Sequence, residues 1–76
     1  MRVKEKTPLE TLGEVVRAIA ECRSEIGEQG RVVVRYSGTE PVARVMVEAG
    51  EAEMVEYHAA RIAHAIDSAL GIRGIG

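Results

Sequence analysis

The sequence predicts an α+β domain, a small and mainly antiparallel sheet with two helices packed on one face, in the order β-α-β-β-α. Three observations lead there. Residues 7–26 and 51–70 carry apolar side chains at helical spacing. Two short β-branched runs lie between them, joined by residues of turn composition. The 76 residues suffice for a single domain, spanning 1–76. A chain of this size buries only ~60% of the surface it exposes when unfolded, so its core is thin. With no Phe, no Trp and two Tyr, that core must be built from Val, Ile, Leu, Ala and Met.

Met1–Lys6 alternates weakly and reads as a short strand or the stub of one. The first helix is expected over 7–26. Thr7 can act as N-cap, Pro8 suits the first helical position, and Glu10 completes a Thr-x-x-Glu capping box. Leu9, Leu12, Val16, Ile19 and Ile26 then form its apolar stripe, and Gly27 and Gly30 supply the stop. Strands are expected over 31–36 and 42–48, joined by Ser37-Gly38-Thr39-Glu40-Pro41 as an antiparallel hairpin. The second helix, 51–70, buries Val55, Ala59, Ile62, Ile66 and Leu70. Gly71 is its C-cap, and 71–76 is expected to be a flexible tail.

Composition excludes several classes. There is no apolar run of the ~20 residues a membrane-spanning helix needs, and the charged start leads into no signal-like stretch. One cysteine, Cys22, cannot form an internal disulfide, which fits a reducing cytoplasm. Ten Lys and Arg against twelve Asp and Glu give a net charge of −2, which disfavours bulk attraction to nucleic acid or anionic lipid.

Strand alternation carries the chemistry. Val32, Val34 and Tyr36 share one face of the first strand, and Ala43, Val45 and Val47 share one face of the second. If the helices cover these apolar sets, Arg35 and Arg44 point to the open face. A register that pairs them satisfies both strands and leaves Ser37–Val42 as the connection. Like charges placed opposite each other are unfavourable in an ordinary sheet, but an anion between them reverses the sign. Arginine offers a planar fork of donors to phosphate or carboxylate, Ser37 and Thr39 add hydroxyls, and Gly38 lets the backbone come close. The plainer alternative is a pair of solvated strand residues, each with an acidic neighbour such as Glu48.

The stretch Arg35-Tyr36-Ser37-Gly38-Thr39-Glu40-Pro41-Val42-Ala43-Arg44-Val45-Met46-Val47-Glu48 resembles the C-terminal phosphate-binding signature of the α-D-phosphohexomutases. It is most similar to their phosphoglucosamine mutase branch, Arg-x-Ser-Gly-Thr-Glu-Pro-x-x-Arg-Val-Met-x-Glu. Every fixed position is met, and Tyr36 stands at a variable one. Val3–Leu9 and the second helix also look like the family's last domain, so the resemblance covers nearly the whole chain.

The resemblance implies a TATA-box-binding-protein-like fourth domain, one part of a four-domain cytoplasmic enzyme that interconverts glucosamine 6-phosphate and glucosamine 1-phosphate for cell-wall precursor synthesis. In that family a phosphoserine of the first domain donates its phosphoryl group. The bisphosphorylated sugar turns round, and the other phosphate returns to the serine. The last domain holds the phosphate that is not reacting. Carried over by position, Arg35, Ser37, Gly38 and Thr39 contact that phosphate, Arg44 supports them, and Glu40 orients an arginine. The implied partners are a hexosamine phosphate and the enzyme's other domains, with neither nucleic acid nor membrane.

The same resemblance places the serine loop, the sugar-specificity loop and the Mg²⁺ site in other domains. This chain is therefore expected to bind no cofactor and to be inactive alone. Phosphate cannot tell one sugar from another, so the C-terminal domain of a phosphomannomutase or phosphoglucomutase stands as the alternative.

Other candidates are weaker. His58 and His64 are six apart and share no helical face as a metal pair would, His58 lying beside the buried stripe and His64 pointing outward. Cys22 is expected to be a buried, inert thiol. A nucleic-acid-binding module would need exposed aromatics for bases to stack on, and strand parity turns Tyr36 inward. Val33, Val42 and Met46 could form an apolar interaction patch, but a domain resting on neighbours would expose the same patch.

Overall fold

The computed structural model describes residues 1–71. After a 3-10 turn at Leu9–Thr11 come helix α1 (Gly13–Ile26), strands β1 (Arg31–Tyr36) and β2 (Ala43–Glu48), and helix α2 (Ala52–Leu70). The strands form a two-stranded antiparallel sheet in the register Arg31↔Glu48, Val32↔Val47, Val33↔Met46, Val34↔Val45, Arg35↔Arg44 and Tyr36↔Ala43. The amino-terminal residues add a rung rather than a full strand, through isolated bridges Arg2↔Val42 and Val3↔Gly71. The Val3 N–H donates to the Pro41 carbonyl at 2.8 Å, the Ala43 N–H to the Met1 carbonyl at 2.7 Å, and the Lys4 N–H to the Leu70 carbonyl at 2.7 Å. The first residues thus lie between the start of β2 and the end of α2.

Both helices cover one sheet face, as the alternation predicts. Val3, Val15, Ala18, Cys22, Ala43, Val47, Ile62, Ala65, Ile66 and Leu70 form the core, with Val32, Val34, Tyr36 and Val45 packed against it. Ile62 and Ile66 are fully buried at its centre. On the surface, the Arg61 guanidinium of α2 pairs with the Glu21 carboxylate of α1.

The first helix departs from expectation. It begins at Gly13, and Thr7 does not cap it. The Thr7 carbonyl instead accepts the Tyr36 hydroxyl. The Pro8 carbonyl accepts both the Thr11 N–H, at 3.0 Å, and the Thr11 hydroxyl, at 2.7 Å. These bonds close a 3-10 turn, and Leu12, extended at φ −97° and ψ 99°, separates it from the helix. The buried stripe is accordingly Val15, Ala18 and Cys22, with Leu12, Ile19 and Ile26 on its flanks, while Val16 is 45% exposed.

The ends of the helices follow the glycines. Gly27 closes α1 at φ +73°, a backbone conformation that side chains disfavour. Gly71 closes α2 in an extended conformation, its N–H donating to the Asp67 carbonyl at 2.9 Å. Gly71 is buried and bridged to Val3, so it does not belong to a loose tail. The remainder of that expected tail, 72–76, lies outside the described residues.

Candidate functional site

Alternation and register deliver Arg35 and Arg44 to the same place. They are direct cross-strand partners, both exposed on the sheet face the helices leave open. Among the described residues neither makes an ion pair. Glu48, the acid that could have neutralised one of them, pairs instead with Arg31 at 3.7 Å, at the far end of the sheet. Between and beside the two arginines lies a hollow of about 250 Å³ lined by Val33, Arg35, Arg44, Val45 and Met46.

The connecting loop turns four of its carbonyls, those of Ser37, Glu40, Pro41 and Val42, to partners within the domain. The Val42 carbonyl accepts the Ser37 N–H at 2.8 Å, the Glu40 carbonyl the Val42 N–H at 2.7 Å, and the Pro41 carbonyl the Val3 N–H at 2.8 Å. The bond from Val42 back to Glu40 closes a three-residue turn around Pro41, whose ring presets φ close to what such a turn needs. The Ser37 carbonyl accepts the Lys6 ammonium at 2.6 Å. Four carbonyls at this corner are therefore turned to internal partners. The Ser37 hydroxyl oxygen is approached by the Thr39 N–H at 3.4 Å, a long contact.

The donors are treated differently. Among the described residues, the two guanidiniums, the Gly38 N–H and the Thr39 hydroxyl make no hydrogen bond. Gly38 and Thr39 are exposed at the loop tip, and a Cβ at Gly38 would meet nothing within 4 Å. A corner that hides carbonyl oxygens and presents N–H, O–H and guanidinium groups favours an anion with several oxygens. Glu40 is exposed on the same loop and pairs with neither arginine among the described residues. Tyr36 points inward, and burial, then Glu5 and Glu10, push its hydroxyl above the ordinary value of 10.0, keeping it a donor to Thr7. No aromatic ring of the strands is left on the open face for a base to stack on.

Two cations near the loop escape the alternation argument. Lys6 reaches it because Val3 and the Thr7 carbonyl tie the amino-terminal segment alongside. Arg2 shares the open face with Val42, its bridge partner. The weak alternation of residues 1–6 was the one sequence signal for that rung.

The remaining candidates fall away from this corner. Cys22 is fully buried, and desolvation, then the nearby Glu25, push its thiol above the ordinary 9.0 against a smaller opposing pull from Arg23. His58 lies deeper than its flank position suggested. It is fully buried with neither ring nitrogen hydrogen-bonded, Nε2 standing 3.4 Å from the Glu25 carboxylate and the ring edge-on to Tyr57. His64 is exposed. No group of three His, Cys, Asp or Glu side chains among the described residues could hold a metal ion. No helix among them is long and apolar enough to cross a membrane.

Residues 1–65 match the family model described as phosphoglucomutase/phosphomannomutase, C-terminal domain. The phosphoglucosamine mutase of Chlamydia felis is 50% identical over 70 residues, covering 92% of this chain and 15% of that protein. That of Koribacter versatilis is 47% identical over 72 residues, covering 95% and 16%. That of Streptomyces griseus is 48% identical over 67 residues, covering 88% and 15%. The chain thus spans about 15% of the length of the curated relatives it matches.

Proposed function

Since the chain belongs to the phosphoglucomutase/phosphomannomutase C-terminal domain family, we propose that its loop corner binds the non-reacting phosphate of a hexosamine phosphate within a phosphoglucosamine mutase. Arg35 and Arg44 grip the phosphate from the strands, while the Ser37 and Thr39 hydroxyls and the Gly38 N–H complete the cradle. Glu40, which pairs with neither arginine among the described residues, is assigned to orient an arginine rather than to touch the anion. The observation that carries this reading is the pairing across β1 and β2 of two guanidiniums without ion pairs among the described residues, beside a loop that turns four of its carbonyls to internal partners.

The chemistry follows from what such a corner recognises. It reads tetrahedral anionic oxygen and little of the sugar, so it accepts either phosphate of a sugar that must turn round between two transfers. Holding the distant phosphate places the reacting one in line, a positioning contribution to phosphoryl transfer. The interconversion of glucosamine 6-phosphate and glucosamine 1-phosphate, the serine that carries the phosphoryl group and the Mg²⁺ that assists it are assigned to the longer protein. We place the parent enzyme in the cytoplasm, with its other domains as this domain's partners.

With one wall of the site present, the 76-residue chain should bind inorganic phosphate at about millimolar Kd, equivalent to about −4 kcal/mol. A two-dimensional amide NMR titration tests this. Shifts confined to Arg35–Arg44 and the adjoining rung are expected. If these amides stay fixed while phosphate rises to tens of millimolar, at about 0.15 M ionic strength, the reading fails.

A further inference from the structure

We infer that Lys6 is a positioning residue of the anion site, holding the Ser37 carbonyl away from the bound phosphate. The inference rests on the phosphate-binding reading and assigns a role to a residue outside the strand-loop-strand motif. Its ground is the hydrogen-bond pattern of the loop. The carbonyls of Glu40, Pro41 and Val42 are each satisfied by a backbone N–H, two from within the loop and one from Val3. The Ser37 carbonyl is the one of the four satisfied by a side chain, the Lys6 ammonium at 2.6 Å.

This carbonyl sits at a critical position. It belongs to the peptide that also carries the Gly38 N–H, so fixing one end of that peptide fixes where the other end points. A carbonyl oxygen free to swing toward the ligand would set a partial negative charge against phosphate. Capped by an ammonium, the same group contributes positive potential, and Lys6 keeps two further donors. Lys6 also makes no ion pair among the described residues.

The approach of Lys6 follows from the fold. Val3 is buried under the start of β2, and the Thr7 carbonyl is held by the Tyr36 hydroxyl at the end of β1. The three residues between these anchors must pass beside the loop, and Lys6 is the one next to Thr7. Tyr36 stands at a variable position of the motif, yet here it ties down the segment that delivers Lys6.

The test uses the 76-residue chain, inorganic phosphate as probe, and the variants Lys6→Met, Lys6→Arg and Arg17→Gln. Arg17 is exposed on α1 and serves as the control for net charge. Lys6→Met should weaken phosphate binding by about fivefold, equivalent to about 1 kcal/mol. It should also shift the Gly38 amide resonance before any phosphate is added, because that N–H shares a peptide with the capped carbonyl. Lys6→Arg should retain affinity within about twofold, because the cationic donor is kept, and Arg17→Gln should leave it unchanged. Thermal melts confirm that each variant folds. Unaltered affinity in Lys6→Met would overturn this inference while the Arg35 and Arg44 reading stands. Equal weakening in Lys6→Met and Arg17→Gln would reduce the effect to net charge and overturn it too. Absence of phosphate binding in the unmodified chain would remove both.

Discussion

Replacing Arg44 by Thr should make the free domain more stable and the phosphate-loaded domain less stable than the original. Arg44 faces Arg35 directly across the sheet, and both side chains are exposed. At a charge separation of about 7 Å in water, their repulsion is about 0.6 kcal/mol, and physiological salt cuts this by roughly half. Thr also has the better strand preference, worth a few tenths of a kcal/mol. The net gain of about 0.5 kcal/mol corresponds to about 2–4 °C in Tm for a domain of this size.

Phosphate reverses the order. At about 50 mM phosphate and a Kd of about 5 mM, binding stabilises the original chain by about 1.4 kcal/mol, or about 6–11 °C. The variant, with half of the guanidinium pair removed, should gain little. The assay is a circular-dichroism melt at 222 nm in phosphate and in chloride of matched ionic strength, with the variant serving as control for general salt effects. A crossing of the two Tm values is the expected result. If phosphate raises both equally, or if the variant is less stable in chloride, the argument for an anion-dependent arginine pair is wrong.

Two further outcomes concern the core. The Cys22 thiol is raised above its ordinary 9.0 by burial and then by Glu25, so its contribution to stability is intact below about pH 9 and lost as pH rises from there through the folded value. The Tyr36 hydroxyl, raised from 10.0, adds a loss of the same sign at higher pH. Melts between about pH 8 and 10.5 should fall less steeply for Cys22→Ala than for the original chain, whatever the offset from the smaller side chain; parallel curves would contradict this. His58→Leu should hold or raise stability, by up to about 1 kcal/mol, because it removes two buried nitrogens that lack hydrogen bonds. Urea unfolding checks it, and a loss of more than about 1 kcal/mol would mean that the contact of Nε2 with Glu25 is worth more than its 3.4 Å suggests.

What could be read from sequence followed period-two alternation more faithfully than helical phase. Alternation places Arg35 and Arg44 on one face, and the Ser37–Val42 connection selects their pairing among registers of like parity; a slip of one residue would turn one strand over and bury its arginine against the helices. Helical phase tolerates more. Val15 and Val16 are adjacent and equally apolar, and either could begin a buried stripe; packing against α2 selects Val15. The capping box at Thr7 is real as a pattern, but Tyr36 claims the Thr7 carbonyl from a distance of 29 residues. His58 lies deeper than the flank position its sequence spacing suggests, for a related reason. Its place, four residues before Ile62, belongs to the buried stripe, but polarity argued for putting Ala59 there instead. Lys6 had no local signature, because its role depends on where a whole segment lies.

The charge layout gives these pieces a common logic. The sheet has a neutralised end, where Arg31 meets Glu48, and an unneutralised end, where Arg35 faces Arg44 beside Lys6. Glu5 and Glu40 are exposed carboxylates near that corner, pairing with none of its cations among the described residues, while Glu14, Glu25, Glu53 and Glu56 are spread over the helices. A domain of net charge −2 can therefore present a positive end without being basic as a whole. A long polyanion laid across it would meet the acidic helices, whereas one phosphate meets only the corner. On the proposed reading, selectivity for a small anion comes from where the charges lie rather than from how many there are. Four of the corner's carbonyls are already satisfied, whereas its guanidiniums are not, so phosphate oxygen finds more to bind there than a ligand hydroxyl does. On the same reading, this layout holds an anionic group at the corner and leaves the rest of its carrier free to turn.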